Sequence, residues 1–269
     1  MMLGAHDSTR DAGRAQRWAA RLAWPLLGIV ISLGLWALAA RYISDVEVIR
    51  AAFAPQAGLK ALVHLLGSGE LWPHISTSLQ RIAIALLLAM AIGVPLGLCL
   101  GLSPLFARIS GPTFQFLRMV SPLSWMPLAV MALGVGEAPV VFLLSFATVW
   151  PIMLNTAAGV AALDPAWMRL AQSLSATRWE TIARVVLPGC ISHILTGFRL
   201  AVGIGWIVLV PAEMLGVSSG MGYFVLDTRD RLAYDELMAG IVVIGGLGFA
   251  LDWLARTISS RWTQRGKQG

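Results

Sequence analysis

Residues 82–102 read IAIALLLAMAIGVPLGLCLGL, a run without one charged side chain. A helix that crosses a bilayer needs roughly 20 mostly apolar residues, and this stretch supplies them. Its apolar positions are continuous rather than alternating, which excludes the strand of a membrane barrel. Backbone surrounded by hydrocarbon must satisfy its own hydrogen bonds, and a continuous apolar run does so as a helix. The stretch therefore predicts an all-α membrane protein.

Working outward, comparable apolar runs fall at about 22–42, 76–102, 109–134, 137–160, 190–215 and 237–258. Six transmembrane helices are expected. Composition agrees: 57% of the chain is hydrophobic and only 13% is charged, against about 25% charged in soluble domains. Mean hydropathy is +0.74. The chain divides into a basic N-terminus (1–21), a six-helix domain (22–258) and a basic tail (259–269). Ala37-Leu38-Ala39 resembles a signal cleavage site. The apolar stretch before it is longer than the roughly 7–15 residues of a signal core, so an uncleaved first span is expected.

The net charge of +6 does not point to nucleic acid, because no polar domain carries a basic patch. Arg10, Arg14, Arg17 and Arg21 precede the first run, and Arg256, Arg261, Arg265 and Lys267 follow the last. Basic residues beside spans mark the cytoplasmic side, so both termini are expected there in a multi-pass inner-membrane protein. The turn at 103–108 and the loop at 161–189 then face the cytoplasm. Segments 43–75, 134–137 and 216–236 face outward; they hold Asp45, Glu47, Glu70, Glu137, Asp227, Asp230, Asp235 and Glu236 against Arg50, Lys60, Arg229 and Arg231.

Several features lie within or beside the spans. Gly93, Gly97 and Gly101 form a small-residue stripe expected to pack against another helix of the same chain. Segment 46–66 reads as an interfacial helix interrupted by Pro55 and Gly58. Cys99 and Cys190 read as small buried hydrophobes. His6, His64, His74 and His193 are scattered without metal-ligand spacing, so no metal site or catalytic centre is expected. Pro95, Pro122, Pro127, Pro151 and Pro211 bend or break helices. Pro122 and Pro127 bracket Ser124-Trp125, and Pro151 precedes Asn155, which suggests a bent, partly polar solute path. Arg81, Arg118, Arg199 and Glu213 fall in or near apolar runs, where a charge must be paired or wetted. Arg81 and Arg118 are expected to snorkel. Glu213 is expected either in a salt bridge across the bundle or on the solute path with Arg118 and Arg199.

The 161–189 loop is the polar exception. Asp164-Pro165 is a helix start, with Asp as N-cap and Pro at the first helical position. Ala166 and Trp167 open that helix, and Trp167, Leu170 and Leu174 make an apolar face flanked by Met168 and Ala171. Ser173, Ser175 and Thr177 loosen the pattern before a second helix from Trp179 to Val186. A short amphipathic helix of this kind suits a groove on another protein.

Here the chain resembles the permease subunits of bacterial ABC importers that work with a solute-binding protein. Their loop reads Glu-Ala-Ala, three residues, Gly, nine residues, Ile-x-Leu-Pro. In this chain the frame is Arg169-Leu170-Ala171, three residues, Ser175, nine residues, Val185-Val186-Leu187-Pro188. Further matches are Pro151-Ile-Met-Leu-Asn155-Thr-Ala-Ala-Gly159, Ile194-Leu-Thr-Gly197-Phe-Arg199-Leu, Ala212-Glu213-Met-Leu and Gly220-Met-Gly-Tyr223. Together, over about residues 70–260, they resemble the nitrate/sulfonate/taurine/bicarbonate group.

The resemblance implies a type I importer bundle, paired as a homodimer in membrane lipid. It implies separate ATP-binding subunits that carry ATP and Mg, and a periplasmic or lipoprotein solute-binding protein. The helix over 164–177 would be the coupling helix, with Pro188 closing its loop. Arg169 and Ser175 stand where the family pattern has Glu and Gly, which implies either a matching acidic site on the cognate ATPase or a weaker or different coupling. The chain has no Gly-rich phosphate loop of its own and no cofactor is expected in it. A self-sufficient carrier or channel is the alternative, and it would favour paired membrane carboxylates or a visible repeat.

Overall fold

The computed structural model describes Trp24, residues 27–42 and residues 47–265; the expected basic N-terminus, residues 1–21, lies outside them. Its elements are α1 (Leu27–Tyr42), α2 (Glu47–Ala52), α3 (Pro55–Ser68), α4 (Leu71–Leu102), α5 (Pro104–Met119), a 3₁₀ turn (Pro122–Trp125) and α6 (Met126–Leu133). They continue with α7 (Glu137–Ala161), α8 (Pro165–Ser173), α9 (Arg178–Thr181), a π turn (Ile182–Val186), α10 (Leu187–Gly216), α11 (Met221–Asp230) and α12 (Tyr234–Arg265). Among the described residues there is no strand.

Among the described residues, four helices are long and apolar enough to cross a membrane: Leu71–Leu102, Glu137–Ala161, Arg178–Gly216 and Tyr234–Ser260. A fifth span exists if α5 and Pro122–Leu133 count as one broken unit, bent by 91°. The first expected span is seen only as the shorter apolar helix Leu27–Tyr42. The third expected span, over 109–134, is thus broken at the prolines expected to bend it. Pro122 and Pro127 each remove a backbone donor, and both sit at the first positions of a new helical segment. An aromatic series, Phe106–Phe114–Trp150–Phe146–Trp125, with centroids 5.4–6.3 Å apart, holds both arms of this broken unit against α7.

Helix α7 is the central member, and glycines on its neighbours make that possible. A Cβ on Gly93 would meet Val149 O at 3.0 Å, and one on Gly97 would meet Met153 O at 2.5 Å. Gly101 lies against Val160 in the same way. The contacts advance together, so α4 and α7 run in the same direction, and the expected intramolecular use of the glycine stripe holds. From the other side, Gly197 packs on Pro151 and Asn155, and Gly205 on Thr148, while Gly159 of α7 receives His193. Hence α10 runs antiparallel to α7. The main core joins Ile82, Ala85 and Ala89 of α4 to Leu143, Leu144 and Ile152 of α7 and Val202 and Leu209 of α10.

Two smaller cores close the ends. At one end Leu65, Leu71, Ile75, Met221, Phe224 and Ala239 pack together; at the other, Val160, Val186, Cys190 and Ile194. Cys190 is buried as expected, whereas Cys99 is exposed on the outside of α4. The 46–66 segment also differs from expectation. Pro55 begins α3 rather than breaking it, and Gly58 sits within that helix, 3.0 Å from the Met238 side chain when given a Cβ. Close packing on α12 and on Trp36 of α1 requires the small residue there.

Candidate functional site

Two sites stand at opposite ends of α10. The first is the polar loop. Asp164 caps α8 as expected, its Oδ1 accepting from Ala166 N at 2.8 Å, with Pro165 at the start. Ala171 is the buried residue of this helix and Met168 is half-buried. Trp167, Leu170 and Leu174 remain exposed, as do Ala166, Arg169 and Ser173. The apolar face expected from the sequence is therefore open rather than packed on the bundle.

Helix α8 ends in a tight reversal. Ala176 N donates to Ala171 O and Ser175 N to Gln172 O, both at 3.0 Å, which closes the helix with a left-handed residue. That residue is Ser175, at φ 55°. Serine thus takes the conformation that glycine enters at no steric cost. Thr177 then forms a capping box with Glu180: the threonine hydroxyl accepts from Glu180 N, and the glutamate accepts from Thr177 N at 2.9 Å.

The second helix expected at 179–186 is not separate. It runs through α9 and the π turn directly into α10, giving the single helix Arg178–Gly216. Pro188 is the reason for the π turn. It offers no N–H, and its ring would strike the carbonyl four residues earlier, so a wider turn immediately before it relieves the clash. Leu187 N accordingly bonds to Ile182 O.

The second site is a buried charge cluster. Arg81 is 2% exposed and Glu213 is fully buried. Arg81 Nη1 donates to Glu213 Oε1 at 2.6 Å and to Ser219 O at 2.7 Å. Its Nε and Nη2 form a fork on Glu137, at 2.5 and 2.6 Å. Arg81 therefore does not snorkel: the two carboxylates hold it inside. Bidentate contact of this type is the strongest pairing available to a guanidinium.

Glu213 has further partners. Ser78 Oγ lies 2.8 and 2.9 Å from its two oxygens, and Gly222 N donates to Oε2 at 2.9 Å. Met221 N donates to Ser78 Oγ at 2.8 Å. The first N–H groups of α11 are thus capped by Ser78 of α4 and Glu213 of α10, since Gly220 at the N-cap has no side chain. Gly220 itself sits at φ 108°, and any Cβ there would collide with the Arg81–Glu213 pair. A Cβ on Gly222 would lie 2.8 Å from that of Glu213. These contacts explain the two glycines of Gly220-Met-Gly-Tyr223 physically: the segment wraps an ion pair and has no room for a side chain at positions 220 and 222.

The six residues expected on a solute path are not gathered in one place. Arg118 ends α5, where it bonds Gln115 Oε1 at 2.8 Å. Ser124 and Trp125 lie in the 3₁₀ turn. Asn155 Nδ2 bonds Pro151 O at 2.8 Å. Arg199 faces Asp252 of α12 at 3.5 Å, and Glu213 is enclosed in the cluster. Sequence reading singled out Arg81 and Glu213 as charges near apolar runs, but it missed Glu137, Ser78 and Ser219. Among the described residues no three of His, Cys, Asp or Glu come together as a metal site.

Comparison with known proteins follows the same outline. The family described as "Binding-protein-dependent transport system inner membrane component" matches residues 93–264. The taurine transport system permease protein TauC of Escherichia coli (strain K12) is 35% identical over 251 residues, covering 89% of this chain and 91% of that protein. The nitrate import permease protein NrtB of Leptolyngbya laminosa is 34% identical over 193 residues, covering 72% and 69%. In fold, the chain is similar to a solved structure of the MetNI methionine ABC transporter in an inward-facing conformation. That likeness has a TM-score of 0.60 at 13% identity, over 71% of this chain and 94% of the other.

Proposed function

As this chain belongs to the family of binding-protein-dependent transport system inner membrane components, we propose that it couples ATP hydrolysis on a partner to passage of a small oxyanion-bearing solute. It is a transport subunit of an ABC importer, and the ATPase is a separate chain. The family implies an ATP-binding subunit and a solute-binding protein as partners. In our reading two copies pair as a homodimer in the inner membrane, with both termini and the α8 loop cytoplasmic. The charge asymmetry of the loops supports this orientation. The solute class rests on the taurine and nitrate relatives.

The observation that carries the coupling role is the open apolar face of α8. Trp167, Leu170 and Leu174 are 57%, 49% and 73% exposed on a helix closed at both ends. A soluble groove that received them would bury this surface and gain a rigid handle. The handle joins α10 through the capping box and the π turn. Arg178–Gly216, at 39 residues, is about 58 Å of helix, long enough to carry a displacement across the membrane to the Arg81 cluster. Closure of the ATPase pair would move two such handles as rigid bodies between two arrangements.

Replacing Leu170 and Leu174 with aspartate tests this. The expected result is loss of co-purification with the ATPase subunit and loss of uptake, with membrane insertion and detergent stability retained. Normal co-purification would remove the docking role from α8.

A further inference from the structure

A cavity of about 70 Å³ lies between α5 and the middle of α7, lined by Gly111, Phe114, Gln115, Arg118, Trp150 and Met153 among others. Roughly 10–15 Å³ on the same measure suffices for one water, so a small anion has room there. Two side chains lining this cavity carry unmet demands: an indole N–H without an acceptor and a guanidinium without a counter-charge, among the described residues. Trp150 is 9% exposed, and its buried indole N–H has no acceptor among the described residues. Arg118 is exposed and makes no ion pair among the described residues; its recorded bond is to Gln115 Oε1. That bond occupies the amide oxygen of Gln115 and leaves its NH₂ to donate.

Depth gives these facts their weight. Trp150 is near the midpoint of α7, a membrane-spanning helix, and Arg118 lines the same cavity. A guanidinium facing hydrocarbon at that depth is costly unless paired or wetted. Arg81, Arg199 and Arg256, also in spans, all have carboxylate partners. Arg118 does not. Guanidinium and indole N–H groups can only donate hydrogen bonds, so the group that satisfies both must accept and should carry negative charge.

We infer that Arg118, Gln115 and Trp150 form an oxyanion subsite on the wall of the solute passage. Its ligand is a small planar or tetrahedral oxyanion, such as nitrate, bicarbonate or a sulfonate head group. Arg118 supplies charge and up to two parallel N–H bonds; Gln115 and Trp150 add single donors from two different helices. The Phe114 and Trp150 rings, 6.0 Å apart, both line the site. This subsite rests on the transport reading above and specifies where that passage meets the anionic group.

Calorimetric titration of the assembled permease–ATPase complex in nanodiscs tests it, with sodium nitrate, sodium bicarbonate and sodium methanesulfonate each compared with sodium chloride at equal ionic strength. At least one oxyanion should bind more tightly than chloride. Arg118→Gln should weaken that binding by about tenfold or more, as for a lost charged hydrogen bond, while the complex stays assembled. Trp150→Phe should weaken it severalfold, and Arg118→Lys should retain part of it.

Unchanged affinity in both Arg118→Gln and Trp150→Phe would overturn the subsite. So would dissociation of the complex on Arg118→Gln, which would make Arg118 an interface residue. If no oxyanion outcompetes chloride while proteoliposomes still import one, the transport reading stands and the subsite falls. Import of neutral solutes alone would instead sink the solute class itself.

Discussion

Glu213 and Glu137 share one guanidinium but hold it on different terms. Glu213 is fully buried, whereas the Glu137 side chain is 61% exposed. Breaking a buried pair leaves a charge that water cannot reach, and such losses run to about 3–5 kcal/mol. Glu213→Gln should cost about 3 kcal/mol, at the lower end of that range because Glu137 still faces Arg81. Glu137→Gln should cost about 1 kcal/mol or less, since water screens it. Thermal unfolding in detergent should separate the two, and equal losses would contradict this asymmetry. A fully stable Glu213→Gln protein that fails in uptake would place Glu213 on the solute path instead. In the sequence, Arg81 and Glu213 were legible as charges near apolar runs. Their pairing was not, because the partners lie 132 residues apart, and Glu137 reads as an ordinary turn carboxylate.

At the scale of the element, the α8 loop shows what a substitution costs when its frame is kept. The left-handed conformation at Ser175 disfavours any L side chain by roughly 1–2 kcal/mol. Glycine would relieve that penalty but lose about 0.5–1 kcal/mol more entropy on folding. Ser175→Gly should therefore tighten the loop by about 0.5–1 kcal/mol, seen as slower hydrogen exchange at the Ser175 and Ala176 amides. Faster exchange would mean that the serine hydroxyl contributes something the turn needs. Asp164-Pro165 and the exposed apolar face of α8 were readable from spacing, since caps and faces are local properties. Two things were not. Pro122 and Pro127 marked a bend in 109–134, but its size, 91°, was not legible because hydropathy does not fix an angle. Hydropathy likewise hid the continuity of α9 with α10, because a π turn leaves no compositional mark.

For the whole molecule, α10 connects the α8 loop to the charge cluster at the far end of the bundle. Orientation is the testable property here. In a functional background lacking Cys99 and Cys190, Ser218→Cys should react with a membrane-impermeant maleimide from outside intact cells. Ser173→Cys should react only after the membrane is opened, and the reverse pattern would invert the topology. One further consequence belongs to the way α11 begins. Its opening amide groups are held by Ser78 and Glu213, which arrive on two different spans 135 residues apart. As the chain is synthesised, α11 would emerge with a frayed start and gain its cap only when both spans already lie side by side. Order in α11 therefore depends on two spans that the chain supplies at widely separated points, so its start stays unsatisfied until the bundle is assembled.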